Sequence, residues 1–207
     1  MMFMIGLVVG IVGFLLKSSI FRISNLRYFV ANLLLESGSL AGFWAWIIGY
    51  SVLIVFISAA LVVFIQPAAA ASGIPETISY LNGAHVPKIF NIRTMVVKFF
   101  SCVCAVGSGL PVGPEGPMIH LGAMLGKGLS QGQSRTMGFA TNMFKRFRNM
   151  RDRRDFISAG AAAGVASAFG APVGGLLFSM EEVRAQRGAP LVVWLWKARG
   201  NCLTVLV

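Results

Sequence analysis

Long apolar runs, broken at a few glycine- and proline-rich points, set the pattern of this chain. No charged residue occurs from Ser37 to Pro75, from Phe99 to Pro114, or from Phe156 to Met180. A helix that crosses the bilayer core needs roughly 20 predominantly apolar residues. Backbone groups in lipid must satisfy one another, which makes helices the natural element. A barrel would alternate apolar and polar residues in segments of about ten, and this chain shows no such alternation.

The runs predict one long tilted helix over Met4–Leu35 and a second over Phe43–Ile65, ending at Pro67. A small-residue stretch, Ala68 to Pro75, leads into a short helix that stops near Leu81, before the turn signal Asn82-Gly83. A further helix is expected over Ile89–Val106, with Lys88, Arg93 and Lys98 towards one end. Gly107 to Pro117 is too rich in glycine and proline for helix interior. The next helix is expected from Pro117, a residue suited to the first helical position. Phe156 to Glu182 reads as two short helices around Gly170-Ala171-Pro172. The spacings Gly160-Gly164 and Gly170-Gly174 permit close helix approach in lipid. The tail after Val183 is more polar, with Trp194 and Trp196 in a short apolar patch. It is read as an interfacial helix or as a segment without defined structure.

Composition agrees with a membrane protein. Of 207 residues, 56% are hydrophobic and only 12% charged, about half the charged share of a soluble domain. Met1 to Leu16 is apolar and Lys17, Arg22 and Arg27 follow it. A secretory signal has the opposite order and a cleavage site, so a retained helix is expected. The net charge of +11 invites a nucleic-acid reading. The charge is localised, however, with Lys127, Arg135, Lys145, Arg146, Arg148, Arg151, Arg153 and Arg154 between apolar runs. That is the signature of a cytosolic loop under the positive-inside rule, with lipid headgroups as a further contact. Nucleic acid is not expected as a partner. Cys102, Cys104 and Cys202 form no zinc-spaced cluster with histidine. No metal and no cofactor are expected.

Candidate chemistry gathers at three interrupted stretches: Ala71-Ser72-Gly73-Ile74-Pro75, Gly113-Pro114-Glu115-Gly116-Pro117 and Gly170-Ala171-Pro172. Irregular backbone at membrane depth survives only where protein or a watery cavity shields it. Helix N-termini exposed at such breaks carry partial positive charge and free N–H groups, so broken helices point to an ion site. Only seven residues are acidic. Glu115 lies in the second break, and Glu181-Glu182 closes the last apolar run. A carboxylate in a membrane segment is a functional hypothesis by default. The bland reading of Glu115 is a carboxylate that complements its helix dipole, and that of Glu181-Glu182 is an ordinary cytosolic helix end. His120 is expected to be packed and hydrogen-bonded rather than catalytic. Ser72 serves as a helix cap, an anion donor, or both.

Three stretches together resemble the CLC family of chloride channels and chloride–proton exchangers: ASGIPETISYLNG at 71–83, GLPVGPEGPMIHLGAMLGKGL at 109–129, and RDFISAGAAAGVASAFGAPVGGLLFSMEE at 154–182. Their order matches the first half of that family, over Ile5 to Glu182, and the wording RRDF and GAPVGG is similar to its endosomal and lysosomal branch. The resemblance implies an all-α membrane fold of broken and re-entrant helices, the first of two inverted repeats. It implies residues 1–183 as a truncated transmembrane domain and 184–207 as a divergent tail. Ser72, Gly73, Ile74, Gly113, Glu115 and Gly116 would bind chloride, Glu115 as the gating glutamate, and Glu182 would transfer protons.

Two departures stand inside those motifs. Ala71 replaces the usual glycine, and Pro114 replaces the usual lysine or arginine before the gating glutamate. The second removes a cation and a backbone N–H and disfavours helical conformation at Gly113. The function implied is chloride transport, by chloride–proton antiport in a full-length parent on an endosomal or lysosomal membrane, with this chain an incomplete fragment. The partners implied are chloride, protons, membrane lipid, and a homodimer mate or a full-length family subunit. The alternatives are a voltage-gated chloride channel or a non-transporting subunit. Enzyme activity is not expected: an intramembrane serine protease is a distant third alternative, since Ser72 and Ser108 are near glycines but neither sits in a Gly-x-Ser-Gly pattern and neither histidine has a clear pairing with them.

Overall fold

The computed structural model describes residues 1–70, 72–81, 89–131, 133–134, 139–140 and 149–184. Seven α-helices account for most of them. In chain order they are α1 (Met2–Glu36), α2 (Leu40–Ile65), α3 (Ile74–Leu81), α4 (Ile92–Gly107), α5 (Glu115–Gln131), α6 (Met150–Phe169) and α7 (Pro172–Arg184). A 3-10 turn, Pro67–Ala69, follows α2. Gln66, the residue before Pro67, is extended, as the proline ring demands. Two short antiparallel strands, β1 (Gln133–Ser134) and β2 (Phe139–Ala140), lie between α5 and α6.

α1 and α2 are long and apolar enough to cross a membrane. In its first half α1 buries a stripe, Ile5, Val9, Gly13 and Leu16, at the three- and four-residue spacing of one helix face, and further along it buries Ala31. That stripe joins Cys102, Val103, Met118, Leu121, Met124 and Phe156 in the larger core. Around the rest of α1 and most of α2, large side chains such as Phe14, Phe29, Trp44, Phe56 and Phe64 stand exposed. This inverts a soluble fold and suits lipid or further protein as the surrounding medium. α2 meets α4 through hydroxyls: Ser58 Oγ donates to the Ser101 carbonyl at 2.9 Å, and Ser51 Oγ donates to the Ser108 carbonyl at 2.9 Å. Such bonds join helices where no hydrophobic drive exists between them.

α5 and α6 form the closest pair. A Cβ on Gly122 would strike the Gly160 carbonyl, one on Gly160 the Gly122 carbonyl, and one on Gly126 the Phe156 carbonyl. The Gly160-Gly164 face therefore does what its spacing predicts, with Gly122-Gly126 opposite. Gly170-Gly174 does not. Gly170 sits in a left-handed turn with open space around it, and Gly174 meets only Ala171. The close approach of α7 to α6 falls on Gly175, where a Cβ would strike the Ala162 carbonyl.

Two other expectations shift. α5 begins at Glu115, so Pro117 occupies its third position rather than its first. The first-turn N–H groups lack intrahelical partners, and a proline there costs none. α6 begins at Met150 and carries Arg151, Arg153 and Arg154 in its first turns, so the end of the basic segment is helix, not loop. Asp152 in the first turn complements the dipole there. Arg135, Lys145, Arg146, Arg148, the Asn82-Gly83 turn, Ala71 and the tail beyond Arg184 lie outside the described residues.

Candidate functional site

The first two breaks meet in space. A Cβ on Gly116 would stand 3.2 Å from Ser72 Cβ and 3.7 Å from Ile74 Cδ1. The N-termini of α3 and α5 are therefore neighbours, although some forty positions separate them in the sequence. Each contributes backbone N–H groups without intrahelical partners and a positive dipole end. Paired in this way, they favour an anion between them.

The loop before α3 is built on Gly73, whose φ is +85°. An L side chain is disfavoured there. A Cβ at Gly73 would also run into the His120 ring. The Gly73 carbonyl accepts from the Thr77 N–H at 3.0 Å and from Thr77 Oγ1 at 2.6 Å, which ties the loop to the first turn. Ser72 is exposed, and its Oγ accepts from the Ile74 N–H at 3.4 Å. An oxygen that accepts keeps its own proton to donate elsewhere, so capping and anion donation are compatible in this geometry.

Glu115 is the first residue of α5 and is half-buried. Its carboxylate folds back over Gly113, where a Cβ would collide with it. Gly113 lies outside the helix, consistent with the proline after it. The Pro114 carbonyl accepts from the Met118 N–H at 3.0 Å and starts the helical ladder. The carboxylate thus stands at the N-terminus of its own helix, beside the residue that touches Ser72.

Three further groups converge on this place. His120, one turn into α5, is buried beneath Gly73 and meets Phe90 edge to face at 6.1 Å between centroids. Lys98 in the middle of α4 is buried, with Nζ 2.7 Å from His120 Nδ1. Glu76 lies in the first turn of α3, and its Oε2 is buried without a hydrogen-bond partner among the described residues. Sequence reasoning placed Lys98 among charges near a helix end and gave Glu76 no role. The available signal was position: Lys98 follows Val97 and precedes Phe99-Phe100, well inside an apolar helix.

The third break does not share in this contact. Glu182 belongs to the last turn of α7, about 15 Å of helix rise from Pro172, and its side chain lies outside the described residues. Among the described residues, no three His, Cys, Asp or Glu side chains stand together as metal ligands.

Comparison with known proteins gives the chain relatives and a solved structural counterpart. The family model described as voltage gated chloride channel matches residues 52–196. Chloride channel protein A of Dictyostelium discoideum is 46% identical over 97% of this chain, which spans 23% of that protein. The human H(+)/Cl(-) exchange transporter 7 is 40% identical over 86% of this chain, and the match again spans 23% of the relative. The crystal structure of a eukaryotic CLC transporter superposes with a TM-score of 0.79 at 26% identity, covering 93% of this chain and 34% of that one.

Proposed function

The chain belongs to the voltage-gated chloride channel family, and from that premise we propose that it supplies one side of the anion path of a chloride–proton exchanger. The observation that carries this reading is the meeting of two helix N-termini at Ser72 and Gly116, with the Glu115 carboxylate beside them. Chloride is held by the Ser72 hydroxyl and by the amides around Gly73, Ile74 and Gly116. Glu115, folded over Gly113, competes with the anion when charged and withdraws when protonated. Glu182 takes protons from the cytosolic side.

Exchange is favoured over passive conduction by the acid at 182, while relatives bear both names, a chloride channel at 46% identity and an exchange transporter at 40%. A channel is the second reading, and Pro114, where the resemblance calls for a cation, is the residue that favours it. The location proposed is an endosomal or lysosomal membrane, on the wording RRDF and GAPVGG. The chain spans less than a quarter of the length of those relatives.

The test grafts residues 1–182 onto the remainder of the human exchanger and measures chloride and proton flux in liposomes. Glu182→Gln is expected to abolish proton movement while chloride movement persists. Glu115→Gln, a mimic of the protonated acid, is expected to weaken coupling. Unchanged proton coupling in the Glu182→Gln chimera defeats the exchanger reading.

A further inference from the structure

Behind the loop at Gly73 lies a pair of side chains with no part in the mechanism above. Lys98 is 2% exposed and His120 1% exposed, and their nitrogens are 2.7 Å apart. The imidazole fills the space that a Cβ on Gly73 would occupy. Its second nitrogen, Nε2, is buried without a hydrogen-bond partner among the described residues. A buried ammonium is costly unless negative charge faces it. Glu76, at the start of α3, is within electrostatic reach of Lys98. Cys102, one turn on along α4, is within reach of both Lys98 and Glu115. α4 therefore backs the place where α3 and α5 begin, and it presents a cation there.

With Lys98 charged, the chemistry of the pair sets its polarity. An ammonium has three donors and no acceptor. It donates to Nδ1, and the neutral imidazole then carries its proton on Nε2. Pro114 leaves the loop before Glu115 with no cation of its own, although Arg27 donates to the Ser108 carbonyl where that loop begins. Lys98 stands behind Gly73, with the His120 ring between them.

We infer that Lys98 is the buried cation of the anion loop and that it acts through His120, a positioning residue whose ring, held in the Nε2–H tautomer, sets the backbone at Gly73. This rests on the anion-path reading above.

The experiment uses the whole chain in lipid nanodiscs, labelled with 15N. His85→Gln leaves His120 as the single imidazole, since the chain has two histidines. Side-chain spectra then report its tautomer, and the Gly73 amide reports chloride added against a gluconate background. The expected result is the Nε2–H tautomer in the parent and a tautomer mixture in Lys98→Met. Half-saturation by chloride is expected to rise about tenfold in Lys98→Met and in His120→Leu. His120→Gln, which keeps an acceptor and a donor, is expected to stay near the parent. Removing the buried charge relieves a desolvation cost, so Lys98→Met is expected to fold. A proton on Nδ1 in the parent overturns the inference. So does a parental titration left unmoved by Lys98→Met. Silence of Gly73 to chloride in the parent overturns the anion-path reading itself, and this inference with it.

Discussion

Gly73 does two jobs that another residue cannot share. Its φ of +85° costs an L side chain about 1–2 kcal/mol, and its missing Cβ makes room for the His120 ring. Gly73→Ala is therefore expected to lower the thermal stability of the chain in detergent by more than that backbone penalty alone. Gly6 is the contrast: it lies inside α1 with nothing within 4 Å of a built Cβ. Gly6→Ala is expected to raise stability by about 0.5–1 kcal/mol through helix propensity. Melting curves check both, and a Gly73→Ala variant as stable as Gly6→Ala refutes the account of the loop. Ser72 and Glu115 were legible in the sequence because a serine and a lone acid inside glycine–proline breaks of apolar runs have few bland explanations. Lys98 was not. A lysine in an apolar helix reads equally as a side chain that reaches out to water. Its meaning comes only from α3 and α5 closing over it.

At the scale of elements, breaks were readable and contacts between helices were not. Pro67, Gly113-Pro114 and Gly170-Ala171-Pro172 punctuate the chain locally, and the helices stop or start within a few residues of each. Which glycine touches a neighbour depends on how one helix is rotated against the next, and the spacing of one sequence cannot show that. Gly174 and Gly175 are adjacent, yet only Gly175 meets the Ala162 carbonyl. Gly175→Ala is expected to destabilise the α6–α7 pair by about 1–3 kcal/mol, as overpacking typically does, while Gly174→Ala is expected to be near neutral. Equal melting shifts for the two would place the contact wrongly. The basic segment was legible as a charge cluster but not as the start of α6, because arginine is at home both in loops and in first turns of helices. Its sidedness follows from charge rather than from fold. Arg148→Cys is expected to react with a membrane-impermeant thiol reagent only from the cytosolic side. Rapid and complete labelling from the other side would invert the topology.

The molecule as a whole presents an apolar exterior and a convergence of two helix N-termini that is open on one side. α2 buries only Ser58, and Phe56, Val63 and Phe64 at its surface are among the most exposed large side chains. Ser72 is exposed and Glu115 only half-buried. An anion held between these two helix ends keeps much of its water, and no wall faces it from among the described residues. A conducting path needs polar groups along its length and closure against lipid, since backbone groups left unsatisfied at membrane depth cost on the order of several kcal/mol each. The family structure that this chain matches extends well beyond it, with 34% of that chain covered. The 207-residue chain alone is therefore expected to bind chloride weakly and to carry none across a bilayer. Reconstituted into chloride-loaded liposomes, with an ionophore to collapse the voltage, it should release chloride no faster than protein-free vesicles. Restoring flux should require co-reconstitution with a full-length relative or the graft described above. Chloride efflux from the chain alone that disappears in both Ser72→Ala and Glu115→Gln would show that these seven helices close a path by themselves, through self-association of the α2 face.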